Sequence, residues 1–424
     1  MRLSQLFTKT SKTAPADESS RNAILLIQAG FIHKEMAGAY AFLPLGKMVL
    51  DNIVQIIREE MNAIGGQELS MTALQSKELW SQTDRWDDAK VDNWFKTTVN
   101  GGGETGLAIT HEEPITNMMK PFISSYKDLP VSVYQFQTKF RNEMRAKSGL
   151  MRGREFLMKD LYSFNLDKAA HDTFYDQAAE AYEKVFERLG IGDSTYMTFA
   201  SGGIFAPFSH EFQTLSAVGE DTIYVHEAKN IAINQEVYTD EVLEQLGVQK
   251  DELIEKTAVE VGNIFTLGTR FSEPLGLTYT DEQGTQHPVF MGSYGIGPSR
   301  LVGLLAEHFA DEKGLVWPEA VAPAKVYLAR LGTETEVVRA ADALYNELTK
   351  QGIGVLYDDR EEARPGEKFA DADLMGIPYR VVVSAKTVAS NSYEVKRRTS
   401  ADTELVNQTQ LLKIMSSGES RQQI

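Results

Sequence analysis

Hydrophobic residues recur every three or four positions along several stretches of the chain, which is the spacing of amphipathic helices. The first stretch covers 45–60, with Pro44 at its start and two glycines, Gly65 and Gly66, at its end. A second runs over about 169–189, and a shorter charged one over about 239–255. Each pattern predicts a helix with one apolar face.

Other stretches are rich in β-branched and aromatic residues that alternate with polar ones, which is the period of a strand. Examples are VSVYQFQTKF at 131–140, DTIYVHEA at 221–228 and LGLTYTD at 275–281. Strands and helices do not alternate strictly in this part of the chain. The pattern therefore predicts an antiparallel sheet flanked by helices.

The last hundred or so residues follow a different pattern, beyond the proline-bearing stretch GLVWPEAVAPAKV. Strand-like VYLARL, IGVLYDD and YRVVVS alternate with helical patterns over about 334–351 and 369–375. This order is typical of a separate α/β domain. We predict an α+β protein with a first domain over 1–313, a linker over 314–324 and an α/β domain over 325–424.

Composition narrows the class of protein. The chain has 424 residues, 42% hydrophobic and 24% charged, with a formal net charge of −17 and no cysteine. Disulfides and thiolate zinc sites are excluded, and the metal ligands, if any, stay unknown. No apolar run approaches the roughly 18 residues of a membrane span, so we expect no membrane partner and a cytoplasmic location. The acidic balance argues against a general nucleic-acid coat but permits a local basic site.

One such basic site is FRNEMRAKSGLMRGREF at 140–156. Period-two alternation places Arg141 and Glu143 on one face of a strand, and Arg152 and Phe156 on one face of the next. Arginine forks pair with phosphate oxygens, an aromatic ring stacks on a purine, and a carboxylate accepts from an exocyclic amine. The set suits a nucleoside triphosphate, although a solvated hairpin would show the same alternation.

A second candidate is MGSYGIGPSR at 291–300, where Gly295 and Gly297 precede an apolar-striped helix with Arg300 in its first turn. Glycines let a backbone approach a flat ligand, and a helix N-terminus favours phosphate. The order of glycines matches neither a P-loop nor a dinucleotide fingerprint. A tight turn before a helix is the alternative.

Together these segments resemble the three signature motifs of class II aminoacyl-tRNA synthetases, most closely those of the bacterial-type prolyl-tRNA synthetase family. Residues 39–69 resemble motif 1, residues 140–164 resemble motif 2 and residues 291–300 resemble motif 3. THEE at 110–113, SHEF at 209–212 and DDREEARPGEKFADADLMGIP at 358–378 resemble further segments of that family. The resemblance implies a class II catalytic domain followed by an anticodon-binding α/β domain.

The resemblance also implies a ligase that activates proline with ATP to prolyl-adenylate and transfers the prolyl group to tRNA(Pro), with Mg²⁺ accompanying ATP. It implies that Arg141 and Arg300 are catalytic residues. It also implies that ATP is bound by Arg141, Glu143, Arg152, Phe156, Gly295, Gly297 and Arg300. It assigns proline binding to Thr110, Glu112, Arg141, Met158, Asp160, Tyr162, His210 and Phe212. It assigns tRNA binding to Arg145, Lys147, Arg360, Arg364 and Lys368.

Motif 1 in this class builds a dimer interface, so the resemblance also implies a homodimer. About 78 residues separate Phe212 from Met291, too few for the hydrolytic editing domain that many bacterial relatives carry there. We therefore expect a short form without cis-editing of alanyl-tRNA(Pro), served by a trans-acting deacylase. Two alternatives stay open: a class II synthetase for another amino acid, and a catalytically silent tRNA-binding paralogue.

Overall fold

The computed structural model describes residues 1–144, 146, 148–201 and 208–416. Within them the helices are α1 (Arg21–Gln28), α2 (Pro44–Ala63), α3 (Lys77–Ser81), α4 (Glu112–Met119), α5 (Lys168–Arg188), α6 (Asp240–Leu246), α7 (Ser272–Leu275), α8 (Pro298–His308), α9 (Thr335–Lys350), α10 (Pro365–Met375), α11 (Ala385–Ala389) and α12 (Gln408–Ser416). No helix of the described residues is long and apolar enough to cross a membrane.

The strands of the first half are β1 (Ile32–Met36), β2 (Ala39–Phe42), β3 (Gln67–Glu68), β4 (Leu74–Ser76), β5 (Lys96–Thr98), β6 (Glu104–Leu107), β7 (Val131–Phe140), β8 (Glu155–Asn165), β9 (Thr195–Ser201) and β10 (Phe208–Leu215). Those of the second half are β11 (Asp221–His226), β12 (Ile231–Asn234), β13 (Ile254–Gly268), β14 (Thr278–Thr280), β15 (Gln286–Pro288), β16 (Phe290–Ile296), β17 (Val326–Leu331), β18 (Val355–Asp358), β19 (Tyr379–Ser384), β20 (Tyr393–Arg397) and β21 (Glu404–Val406).

The main sheet contains nine strands in the order β10-β9-β12-β11-β13-β16-β8-β7-β3. The pairs β9–β12 and β3–β7 are parallel and the other neighbours are antiparallel. The long apolar stripes of α2, α5 and α8 belong to the same buried cluster as one face of this sheet. The predicted antiparallel sheet with flanking helices is confirmed. The opposite face carries polar side chains in one part and, in another, an apolar cluster that includes Val133, Phe164 and Met291.

One end of this sheet closes on itself. Strand β13 pairs with β11 through 254–258 and with β10 through 258–264, before it continues beside β16. Because β10 also pairs with β9, β9 with β12 and β12 with β11, these five strands form a closed ring. Ile223, Val225, Ala232 and Ala258 from its strands form a small apolar cluster.

Two sequence expectations differ from the structure. The helix predicted over 239–255 is only α6, because Gly247 adopts a left-handed conformation with φ 66° and stops it, and β13 begins at Ile254. The run LGLTYTD contributes only β14, which pairs with β15 in a separate two-stranded sheet. Helices 45–60 and 169–189 match α2 and α5 closely.

The C-terminal part builds a five-stranded sheet in the order β18-β17-β19-β20-β21. The first three strands are parallel, and β20 and β21 are antiparallel additions. Helix α9 packs on this sheet and contributes Val337, Ala341, Leu344 and Leu348 to a buried cluster of the C-terminal part. The alternation of strand and helix predicted for this part is therefore present.

Candidate active site

The polar face of the main sheet is built by the hairpin of β7 and β8. Gln135 lies opposite Asp160, Gln137 opposite Met158 and Lys139 opposite Phe156. The intervening residues face the helices, as Lys159 shows by contacting Tyr182 of α5. Strand alternation thus places the even-numbered residues of β8 on the side away from the helices.

A cavity of about 270 Å³ opens on this face. Its lining comes from the β7–β8 hairpin, the turn before β11, strand β13 and the junction of β16 with α8. The predicted site residues that line it are Arg141, Glu143, Arg152, Phe156, Met158, Gly295, Gly297 and Arg300. Segments 140–158 and 295–300, far apart in the chain, therefore meet in one site.

Arginines stand on two sides of this cavity. The Arg141 guanidinium lies 5.3 Å from the centre of the Phe156 ring, so cation and aromatic face are already stacked. Two backbone carbonyls fix the Arg300 guanidinium. Its Nε donates to the Met151 carbonyl at 2.9 Å and its Nη1 to the Glu260 carbonyl at 2.7 Å. Burial, and next the charge of Arg300, lower the pKa of Arg141.

Glu143 and Arg152 pair with each other at the cavity mouth. The Arg152 Nε and Nη2 donate to Glu143 Oε2 at 3.0 and 2.8 Å. The same guanidinium reaches Glu220, in the turn before β11, at 3.3 Å. A charged side chain from the ring of strands therefore touches the predicted ATP-binding arginine, which the sequence did not indicate.

A row of carboxylates, formed by Glu211 of β10, Asp221 of β11 and Glu260 of β13, lies at the cavity, and Arg300 contacts Glu260 Oε2 at 3.2 Å. Gln213 Nε2 donates to Glu211 at 2.9 Å and to Asp221 at 3.0 Å, and Asp221 and Glu260 both line the cavity. Burial, and next the negative charge of Glu260, raise the pKa of Glu211 to about 8. Among the described residues, no group of three or more His, Cys, Asp or Glu side chains could hold a metal ion.

The predicted amino-acid pocket lies beside this cavity. The Thr110 hydroxyl donates to Glu112, with its oxygen 2.7 Å from Oε2, and Glu112 is only 2% exposed at the start of α4. The Tyr162 hydroxyl lies 3.4 Å from Glu112 Oε1 and 3.2 Å from Asp160 Oδ2. Ser293, opposite Tyr162 in β16, lies 3.5 Å from the same Glu112 oxygen. Thr110, Glu112, Asp160 and Tyr162 thus form one buried network.

Sequence reasoning missed two buried groups around Glu112. The Arg85 Nη1 lies 3.4 Å from Glu112 Oε2 and 3.0 Å from both oxygens of Glu113. Burial raises the pKa of Glu113 to about 7, although Arg85 opposes that shift. Glu113 follows Glu112 directly in the THEE segment, which was a usable signal, whereas nothing in the sequence distinguished Arg85.

Lys139 and His111 were also missed. Lys139 Nζ lies 2.9 Å from Asp160 Oδ2 and 2.6 Å from His111 Nδ1, and both Lys139 and His111 are fully buried. Lys139 shares a strand face with Gln135 and Gln137, which strand periodicity could have shown. His111 lies between two predicted site residues, Thr110 and Glu112.

His210 and Phe212 do not lie in this pocket. Phe212 packs on Tyr182 and Phe186 of α5, and the Tyr175 hydroxyl of the same helix lies 2.8 Å from His210 Nδ1. Because Glu211 faces the carboxylate row, strand alternation turns its two neighbours to the helix side. Their expected role as walls of the proline pocket is inconsistent with this placement.

The predicted tRNA contacts have mixed positions. Arg145 and Lys147 lie outside the described residues. Arg364 is exposed at the start of α10, whereas Arg360 donates to Asp358 at 2.7 Å and to Asp371 at 2.8 Å. Lys368 is 2% exposed and donates to the carbonyls of Arg330 and Asp358 at 2.8 and 3.2 Å. Lys368 is thus an interior residue, and a tRNA contact there does not fit the structure.

Comparison with protein families gives two matches. Residues 95–309 match the tRNA synthetase class II core domain for G, H, P, S and T, and residues 325–417 match the anticodon binding domain. Proline–tRNA ligase of Methylobacterium sp. (strain 4-46) is 39% identical, over 96% of this chain and 97% of that protein. Proline–tRNA ligase of Agrobacterium fabrum is 38% identical, over 96% of this chain and 98% of that protein.

Solved structures share the fold. Prolyl-tRNA synthetase of Cryptosporidium parvum, complexed with halofuginone and AMPPNP, is similar with a TM-score of 0.76 and 18% identity, over 93% of this chain and 76% of that one. Giardia lamblia prolyl-tRNA synthetase, in complex with prolyl-adenylate, has a TM-score of 0.75 and 18% identity, over 92% of this chain and 74% of that one.

Proposed function

The chain belongs to the proline–tRNA ligase family of class II synthetases, and from that premise we propose which of its residues perform each part of the reaction. The chain activates proline with ATP and charges tRNA with it. One observation carries the proposal. A single cavity gathers arginines, an aromatic ring and a carboxylate directly beside a buried network around Glu112.

In the ATP part, Phe156 stacks on adenine and Glu143 accepts from its exocyclic amine. Arg141, Arg152 and Arg300 bind phosphate oxygens, and Gly295 and Gly297 let the nucleotide lie against the backbone. When ATP binds, Arg152 breaks its ion pair with Glu143 and binds a phosphate instead. The Glu143 carboxylate is then free to accept from adenine. Charge-assisted bonds of this kind are stronger than neutral ones, which supports the exchange.

In the amino-acid part, Glu112, Asp160 and Tyr162 bind the cationic imino group of proline, with Thr110 orienting Glu112 and Met158 contacting the ring. Arg141 lies between the two parts and binds both the amino-acid carboxylate and the α-phosphate. The carboxylate that attacks is already ionised, so the main contributions of the protein are orientation and fixed positive charge. His210 and Phe212 are not part of this proposal.

Mg²⁺ fits the carboxylate row in a limited way. Mg²⁺ usually keeps several waters and binds one or two carboxylates together with substrate phosphates. Glu211 and Glu260 are the side chains that would hold it. Burial, and next the negative charge of Glu260, raise the pKa of Glu211, and a cation between the two carboxylates would offset that charge. The ion would neutralise phosphate charge when ATP binds.

We keep the division into 1–313, 314–324 and 325–424 as a proposal. It is supported by family matches that end at 309 and begin again at 325, by two separate sheets, and by a buried cluster made of residues from the C-terminal part alone. The larger buried cluster spans both parts, with Tyr327 and Leu356 among its members. The second part binds the tRNA anticodon, with exposed Arg364 as a candidate contact. Arg360 is available only if it leaves its two aspartates. A homodimer belongs to the proposal too, and sedimentation equilibrium tests it.

The test of the proposed function is ATP–pyrophosphate exchange with each standard amino acid in turn. We expect strong exchange with proline and weak exchange with alanine. Exchange centred on another amino acid would favour a synthetase of different specificity. No exchange with any of them, in folded protein that still binds tRNA, would favour the silent paralogue.

A further inference from the structure

A fully buried lysine stands behind the amino-acid pocket. Lys139 is 0% exposed, and its Nζ lies 2.9 Å from Asp160 Oδ2 and 2.6 Å from His111 Nδ1. A buried ammonium needs such partners, because removing it from water is costly. Nothing in the reaction described above uses this group.

The hydrogen bonds fix which member of the lysine–histidine pair carries the charge. His111 Nε2 lies 3.1 Å from the carbonyl of Thr72, which can only accept, so Nε2 bears the proton and Nδ1 accepts from Lys139. Burial, and next the charge of Lys139, lower the pKa of His111 to about 4. The imidazole is therefore neutral, and the positive charge beside Asp160 is that of the lysine.

The two oxygens of Asp160 are in different situations. Oδ2 accepts from Lys139, from Gln135 Nε2 at 3.0 Å and from the Tyr162 hydroxyl at 3.2 Å. Oδ1 is buried and has no hydrogen-bond partner among the described residues. Buried acceptors rarely lack a donor, so this oxygen points to a donor from a ligand. Asp160 lies opposite Gly295, which lines the cavity.

Two carboxylates therefore share one small pocket. Glu112 and Asp160 are bridged by the Tyr162 hydroxyl, which has one proton for two acceptors. Like charges repel each other, so each carboxylate needs a cation nearby. Arg85 compensates Glu112 at 3.4 Å, and Lys139 compensates Asp160.

We propose that Lys139 is a positioning residue for the amino acid, which fixes the Asp160 side chain and occupies its Oδ2. The free Oδ1 and Glu112 then accept the two N–H groups of the secondary ammonium of proline. This inference rests on the proposed function and adds a residue that does not touch the substrate.

The experiment replaces Lys139 by methionine and measures pyrophosphate exchange against proline concentration and, separately, against ATP concentration. We expect the KM for proline to rise by about tenfold or more, since breaking a buried charge pair leaves an uncompensated anion. We expect kcat at saturating proline to change less than the KM for proline, because the lost contact positions the bound amino acid. The KM for ATP should change little.

Lys159→Met is the matched control. Lys159 is equally buried, on the neighbouring strand, but donates on the helix side to the Tyr182 hydroxyl at 2.5 Å and the Tyr294 carbonyl at 3.0 Å. The other titratable groups near Asp160 are those of His111, Tyr162, Glu112, Lys159 and Tyr182. Both substitutions remove one buried amine, yet only Lys139→Met should raise the KM for proline.

A double variant tests the route through Asp160. In the Asp160→Asn background, Lys139→Met should have little further effect on the KM for proline, because no carboxylate charge is left to compensate. If Lys139→Met alone does not fold, the double variant is compared with Asp160→Asn alone. Parent-like proline kinetics in folded Lys139→Met, or an undiminished effect in the Asp160→Asn background, would overturn the inference. Failure of the parent to exchange with proline would instead refute the proposed function.

Discussion

At the scale of single residues, Arg141 stands where the two parts of the site meet. Its guanidinium is stacked on Phe156 and lies within electrostatic range of Arg300, Glu260 and Glu112. A planar fork can bind two oxygens of one anion, which an ammonium cannot do. Arg141 should therefore matter more to the reacting state than its charge alone implies.

Arg141→Lys tests this geometry. The rate of proline activation should fall at least about tenfold, or roughly 1.4 kcal/mol, because the charge is kept but the fork is lost. Pyrophosphate exchange measures it. Arg188→Lys is the control, since Arg188 pairs with Glu59 and Glu60 on the outside of α2, away from the cavity. Equal exchange rates in the two folded variants would remove Arg141 from the reaction.

Glu211 gives a prediction about pH and stability. Its pKa is raised to about 8 in the folded protein from an ordinary value of 4.5. Between these limits the folded state holds a proton that the unfolded state has released, so the free energy of unfolding falls as pH rises.

Glu211→Gln should therefore gain stability relative to the parent as pH rises, by at most about 1.4 kcal/mol per pH unit. Denaturant unfolding at several pH values measures the difference. Glu255→Gln, an exposed position on β13, is the control and should run parallel to the parent. If the free energy of unfolding of Glu211→Gln also changed with pH as that of the parent does, the pKa of the Glu211 carboxyl would not be raised in the folded protein.

At the scale of elements, the close approach of β13 and β16 shapes the floor of the cavity. Gly295 lies opposite Asn263, and a Cβ added at Gly295 would come 2.8 Å from Asn263 Oδ1. Both residues line the cavity. A Cβ at Gly295 would therefore require the end of the Asn263 side chain to move within the cavity.

Gly295→Ala should weaken ATP binding more than proline binding. The crowding forces Asn263 or the strand to move, at a typical cost of about 1–3 kcal/mol. Separate KM values for ATP and proline measure it. Gly366→Ala is the control, because a Cβ there meets nothing within 4 Å. An unchanged KM for ATP in Gly295→Ala would mean that the nucleotide does not use this floor.

At the scale of the whole molecule, the segment between SHEF and motif 3 decides whether an editing domain is present. Residues 213–290 are all described, and their longer strands continue the main sheet or complete its ring. The remaining pieces are a two-stranded sheet and short helices. We find no separate hydrolytic unit within 213–290.

We therefore predict that the protein activates alanine measurably, forms alanyl-tRNA(Pro) and does not hydrolyse it. Alanine is smaller than proline and cannot be excluded by size, so discrimination rests on lost apolar contact, about 1–3 kcal/mol per methylene. Preformed alanyl-tRNA(Pro) is incubated with the protein in the absence of AMP and pyrophosphate. Deacylation above the buffer rate would contradict the prediction, and its absence leaves clearance to a trans-acting deacylase.

Much of the site followed from local sequence. Period-two alternation correctly predicted the shared face of Gln135, Gln137 and Lys139 and that of Phe156, Met158 and Asp160, because a strand fixes that geometry within a few residues. The placement of Arg141, Glu143 and Arg152 on strands was wrong, because β7 ends at Phe140 and β8 begins at Glu155. The same rule applied to SHEF would have separated His210 and Phe212 from Glu211. Those two positions came from family resemblance alone, and the expected pocket role does not fit their side of the strand.

The sequence by itself determined the fold class, the long helices α2 and α5 and many of the residues that line the cavity, since local periodicity and short motifs carry that information. Tertiary structure alone decided the ring of five strands, the contact of Glu220 with Arg152 and the burial of Lys368. It also brought Arg85, His111 and Lys139 around Glu112 and Asp160. These are contacts between distant segments, and burial, which sets the partners and charge of each group, exists only once those segments pack together.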